Sequence, residues 1–131
     1  MKVYVAAPLK KIASARYAAN RLRATEGLEV VSRWHETTDT EDPVTPAVRR
    51  HILEANLRDI DRADVVVVML PEGGRSTYGE IGYALAKHLH VVWVYGDGGA
   101  TSIFDAHPFS TIVKSIEAAI EFLRDEKAGA A

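Results

Sequence analysis

The sequence has no cysteine, which excludes a disulfide framework, a thiolate nucleophile and any cysteine metal site. It also has little net charge. Sixteen Lys and Arg stand against 18 Asp and Glu, a formal charge of -2, so there is no electrostatic reason to expect a nucleic acid as partner. Long apolar runs are missing too: the longest, Val65 to Leu70, falls far below the roughly 20 residues of a membrane-spanning helix, and no membrane partner is expected. The opening Met1-Lys2-Val3-Tyr4-Val5 enters a strand-like pattern at once, without the charged segment, apolar stretch and cleavage site of a secretion signal. A cytoplasmic location is therefore the expectation. The five histidines, His35, His51, His88, His90 and His107, show no zinc-ligand spacing, so no metal is expected. The basic cluster Arg49-Arg50-His51 is short and reads as a solvated helix face.

What remains is an ordinary globular balance over 131 residues, 47% hydrophobic and 26% charged, which suits a single core. We place one domain over 1–127 and a frayed tail over 128–131. Val3 to Ala7 is a short apolar run ended by Pro8, followed by a helical pattern with Ile12, Ala15, Ala19 and Leu22 on one face, stopped at Gly27. Leu28 to Val31 reads as a second strand, and Glu36 to Pro43 as an exposed acidic loop. Thr45-Pro46 offers an N-cap and a first-turn proline for a helix to about Asp61, with Val48, Ile52, Ala55 and Ile60 facing inward. Val65 to Leu70 is apolar throughout and rich in valine, as a central parallel strand covered on both faces must be. Pro71 to Thr77 reads as a loop, Tyr78 to Lys87 as a helix, Val91 to Tyr95 as a strand and Gly96 to Ala100 as a turn. A fifth strand around Thr111 to Val113 precedes a helix capped by Ser115, with Ile116, Ala119, Ile120 and Leu123 inward. This alternation predicts an α/β fold, a flavodoxin-like doubly wound domain with a five-stranded parallel sheet in the order 2-1-3-4-5.

In such a sheet, ligands bind beyond the carboxyl ends of the strands, near the switch point between strands one and three. That nominates Ala6 to Lys10, Pro71 to Glu80 and Gly96 to Phe104. Glu80, between Gly79 and Gly82, falls in the first turn of its helix on this reading. Thr77-Tyr78-Gly79-Glu80 fits a capping box, which would make the carboxylate structural. Two glycines in one short helix each cost roughly 1 kcal/mol, however, and suit a place where backbone closely approaches a ligand or a neighbouring strand. Ser76 and Thr77 are candidates either for capping or for donating to sugar hydroxyls or phosphate oxygens. Gly96-Asp97-Gly98-Gly99 lacks the lysine and the remaining glycines of nucleotide-binding loops and reads as a turn.

Three stretches carry a family likeness. They are Arg62-Ala63-Asp64-Val65-Val66-Val67-Val68, then Gly79-Glu80-Ile81-Gly82-Tyr83-Ala84-Leu85-Ala86 with Val91-Val92, and the opening Met1 to Pro8. Together with Ser102-Ile103-Phe104, they make the chain resemble the nucleoside 2-deoxyribosyltransferase family. That family includes transferases that exchange bases between deoxynucleosides and hydrolases that cleave the N-glycosidic bond of nucleoside monophosphates. The resemblance implies a small-molecule nucleoside or nucleotide substrate, no metal or organic cofactor, Glu80 as nucleophile and Tyr4 as the residue that orients it. A carboxylate at an anomeric carbon can stabilise oxocarbenium character and trap a glycosyl ester. The resemblance further implies that Ala6-Ala7-Pro8 is a small-residue turn against the sugar and that Lys10 meets a 5'-phosphate. It also implies that Ser102 belongs to a neighbouring subunit's site, hence a homodimer or larger oligomer. Two positions depart from the family pattern. Asn56 stands where an aspartate assists the leaving base, and Gly74 stands where deoxyribosyltransferases often carry an acid. A hydrolase or divergent relative fits these departures better than a full base-exchange enzyme, and the alternative is a noncatalytic nucleotide-binding module. Asp64, at the opposite end of strand three, reads as structural.

Overall fold

The computed structural model describes residues 1–36, 45–69, 71, 74–96 and 102–130, with side chains to Asp125. Its strands are β1 (Lys2–Ala6), β2 (Glu29–Val30), β3 (Val65–Met69), β4 (His90–Val94) and β5 (Ser110–Val113). Its helices are α1 (Ile12–Arg23), α2 (Pro46–Asp61), α3 (Arg75–Ala86) and α4 (Ile116–Ala130), joined in part by short 3-10 turns. The sheet has the order β2-β1-β3-β4-β5, with every neighbouring pair parallel, as the strand and helix alternation predicts. α4 takes in Ala128 to Ala130, where composition alone points to a tail. Among the described residues no helix is long and apolar enough to cross a membrane. Most of the expected loops at Glu36 to Pro43 and Gly96 to Ala100 lie outside the described residues.

β3 is buried along its whole length, because it is sandwiched between two apolar layers. One layer contains Val3, Val5, Val65, Val67 and Val92 against α1 and α4. The other contains Tyr4, Ala6, Val66, Val68 and Trp93 with Ile60, Ile81 and Ala84. Strand alternation thus sends Tyr4 to the side covered by α2 and α3. At the amino edge, Asp64 Oδ2 accepts from Lys2 N at 2.8 Å while Asp64 N donates to Lys2 O at 2.8 Å. The structural role expected of Asp64 is this clamp between β1 and β3.

Several expectations need correction. α3 begins at Arg75 rather than Tyr78, with Gly74 as its N-cap, so Ser76 and Thr77 belong to its first turn and Glu80 to its second. α2 keeps the expected Thr45 cap, whose Oγ1 accepts from Val48 N at 3.2 Å, but only Asp59 and Ile60 along it are buried. Val48 and Ile52 are exposed. The 3.6-residue pattern finds a helix face without saying how far the sheet extends beneath it.

Candidate active site

Tyr4 lies wholly buried on β1, and its hydroxyl donates to both oxygens of Glu80, at 2.9 and 3.2 Å. Glu80 is half-buried on α3. As the sixth residue of that helix it is beyond the first turn, where a capping side chain acts, so the capping box is not formed and the carboxylate faces the strand tyrosine instead. No cation among the described residues pairs with it. Burial pushes its pKa up to about 7, with the Tyr4 hydrogen bond pulling the other way. Tyr4 is itself raised well above the usual phenol range, first by burial and then by the charges of Glu80 and, last, Asp59. Near neutrality this is a protonated phenol bonded to a partly ionised carboxylate.

The turn after β1 abuts the start of α3. A Cβ built on Gly74 would lie 2.6 Å from Thr77 Oγ1 and 2.9 Å from Pro8 Cγ, so a side chain at this position would need its neighbours to shift. Ala6, the last residue of β1, and the following Ala7 and Pro8 are buried. Thr77 is buried too, while Ser76 and Lys10 are exposed. Beside Glu80, Gly79 faces open space, and a Cβ on Gly82 would make only ordinary contact with Phe104 at 3.9 Å. The close backbone approach inferred for this glycine pair is therefore not made by protein: Gly79 leaves room and Gly82 has room to spare.

Asn56 is half-buried on α2, one turn outward from Asp59, with no hydrogen bond of its side chain among the described residues. Ser102 caps the 3-10 turn Ile103–Ala106. Its N–H donates to Asp105 Oδ2 at 2.9 Å, and Asp105 also accepts from Tyr95 at 3.0 Å. It makes no described contact with Tyr4 or Glu80. No group of three His, Asp or Glu among the described residues could hold a metal.

Sequence reasoning missed the segment after β2. Ser32 Oγ accepts from Val5 N at 2.9 Å, and Trp34 Nε1 donates to Val5 O at 2.8 Å. His35 Nε2 lies 2.8 Å from Ser32 Oγ. Arg33 grips buried Asp59 with Nη2 at 2.9 Å and Nε at 3.4 Å. The available signal was topological: the loop after β2 opens on the same sheet edge as the loops after β1 and β3.

The chain is thus a doubly wound α/β domain with a phenol and a carboxylate paired near the switch point, the region where open parallel sheets bind ligands. The family model described as nucleoside 2-deoxyribosyltransferase matches residues 3–121, and the chain belongs to that family. No curated protein matches the sequence. Among solved structures, a conserved protein from Enterococcus faecalis V583 superposes with a TM-score of 0.72 at 18% identity, covering 96% of this chain and 98% of that one. The 2-deoxyribosyltransferase of Bacillus psychrosaccharolyticus gives 0.70 at 16% identity, covering 92% and 90%. The Clostridium botulinum CMP N-glycosidase BcmB gives 0.59 at 15% identity, covering 95% and 99%.

Proposed function

We propose that this protein cleaves or transfers at the N-glycosidic bond of a nucleoside or nucleoside 5'-monophosphate, with Glu80 as nucleophile. The observation that carries this reading is the Tyr4 hydroxyl bonded to a half-buried Glu80 that no described cation neutralises. Ionised Glu80 attacks the anomeric carbon, the bond to the base breaks with its electron pair leaving on the base, and a glycosyl ester forms. Water attacks the same carbon and releases the carboxylate, its proton balancing the one the departed base takes up, or a second base attacks and loses its N–H proton in transfer. Tyr4 keeps the nearer carboxylate oxygen, Oε1 at 2.9 Å, and gives up its longer contact to Oε2 as that oxygen reacts. The open space at Gly79 is where we place the sugar, with Ala6, Ala7 and Pro8 as the small-residue turn and Lys10 and Ser76 exposed toward a 5'-phosphate.

Chromatographic detection of free base from a panel of nucleosides and monophosphates tests this, with Glu80→Gln as control. Release by the wild type and not by the variant is the expected result, and addition of a second base separates transfer from hydrolysis. Asn56 and Gly74 favour one other reading, a binding module without turnover. Saturable binding with no base released from any substrate would establish it.

The acid limb of kcat/KM is expected near pH 7, falling about tenfold per unit below it, because only ionised Glu80 attacks. Tyr4→Phe removes the bond that lowers the Glu80 pKa, so its limb moves to higher pH. A pH and rate profile of both proteins measures this, and an unmoved limb would count against Tyr4 as the orienting residue.

In the same reading, Ser102 serves a second copy's site. Its neighbour Ile103 is 85% exposed, as a contact residue between subunits would be in an isolated chain. Ile103→Asp is expected to shift the protein toward monomer in sedimentation and to lower base release with it. A wild-type monomer that releases base would remove the shared site.

A further inference from the structure

β2 has two residues where β1 has five, so β1 outruns its outer neighbour. Strand pairing on that side ends with Val31 N donating to Val3 O at 2.8 Å. Beyond it, the buried N–H and C=O of Val5 would have no strand partner, and buried backbone groups left unpaired are destabilising. Side chains replace the missing strand: Ser32 Oγ accepts from the N–H and the Trp34 indole N–H donates to the C=O. Val5 directly follows Tyr4, and its N–H belongs to the peptide joining the two. We propose that Ser32, Trp34 and His35 are positioning residues that hold the Tyr4 hydroxyl on Glu80 by fixing this stretch of β1. The inference rests on the reading of Tyr4 and Glu80 as the reacting pair.

His35 completes the arrangement. A serine hydroxyl has one hydrogen to give. With its oxygen accepting from Val5, Ser32 can donate to His35 Nε2 only if the imidazole is neutral and protonated on Nδ1. Burial lowers the pKa of His35, as do Arg23 and Arg16, against opposing contributions from Glu36 and Asp59. The segment is tied to both neighbouring helices, since Arg16 Nε on α1 donates to His35 O at 2.7 Å and Arg33 holds Asp59 on α2. A strand partner would bond through its backbone and survive most substitutions. Here each anchor of Val5 is one side-chain atom, so a single change can loosen the peptide while the sheet persists.

The test is a carbon-13 NMR titration of the Glu80 carboxyl in the full chain, paired with kcat and KM against pH, for wild type, Ser32→Ala, Trp34→Phe and His35→Leu. Because the Tyr4 bond lowers the Glu80 pKa, loosening it should raise the titration midpoint by roughly half a unit or more. Base release at pH 6 should then fall about 3- to 10-fold, mainly in kcat. Ser32→Thr and His35→Gln, which keep a polar atom in reach, should stay within about twofold of wild type. In a Tyr4→Phe background, Ser32→Ala should add no further shift. If Ser32→Ala does not fold, Trp34→Phe gives the same readout with most of the ring retained. An unchanged midpoint in a folded variant, or full additivity with Tyr4→Phe, overturns the proposal. A raised midpoint in a protein that releases no base would support the positioning role and instead sink the glycosidic reading.

Discussion

Glu80→Gln is expected to abolish base release and, at pH 8, to raise the unfolding temperature by several degrees. The activity loss follows from removing the attacking carboxylate, because an amide oxygen forms no stable glycosyl ester. A drop of about a thousandfold or more is the expected scale. The stability gain follows from the raised pKa. The folded protein holds a proton on Glu80 up to about pH 7, whereas the unfolded chain releases it near the ordinary glutamate value. Between those values the unfolded state binds fewer protons, so stability falls as pH rises from about 4.5 to 7 and is flat above. The full difference corresponds to about 3 kcal/mol. Water reaching a half-buried group reduces this to on the order of 1–3 kcal/mol. Glutamine accepts the same Tyr4 hydrogen bond without the charge and escapes the loss. Calorimetry of both proteins from pH 4.5 to 8 should show the curves meeting at the acid end and separating toward neutrality. Coincident curves throughout would mean that Glu80 is not held against its charge. Opposed changes in activity and stability are the mark of a group kept in an unfavourable environment for chemistry.

The pairing of Tyr4 with Glu80 was legible in the sequence, but only because a resemblance assigned both residues. Local pattern by itself favoured a capping glutamate, since Thr77 stands three residues ahead of Glu80. The error arose at the helix start. Gly74 caps α3 without a side-chain hydrogen bond, so nothing in Arg75-Ser76-Thr77 announced a first turn. The sheet order was legible because uniformly apolar Val65 to Met69 can occupy only the interior of a parallel sheet. Ser32 and Trp34 were not, because their partner is the backbone of Val5, nearly thirty residues away, and a side chain bonded to distant backbone leaves no periodicity. Asp59 was hidden in the same way. Its burial depends on Arg33 from another element, while Asp61 two residues on pairs at the surface with Lys87 and Tyr83.

Gly74→Asp reverses the sign of an ordinary helix-capping substitution. At most N-caps aspartate stabilises relative to glycine by a few tenths of a kcal/mol, and the backbone at Gly74, φ -94° and ψ 95°, suits any residue. Steric room decides instead. The first atom of any side chain would sit 2.6 Å from Thr77 Oγ1, 2.9 Å from Pro8 Cγ and 3.0 Å from Thr77 Cβ. Thr77 is 3% exposed and Pro8 is a rigid ring, so neither can swing aside as a long side chain would. Gly74→Ala alone should therefore cost about 1–3 kcal/mol, and Gly74→Asp at least as much. Thr77→Ala should recover part of it, because it removes the closest contact and leaves the other two. Denaturant melts of the four proteins measure this, and a Gly74→Asp protein as stable as wild type would show that the turn yields. The consequence is that an acid introduced at this position by one exchange is costly to accommodate. Any activity gained in Gly74→Asp would therefore require Pro8 and Thr77 to move first.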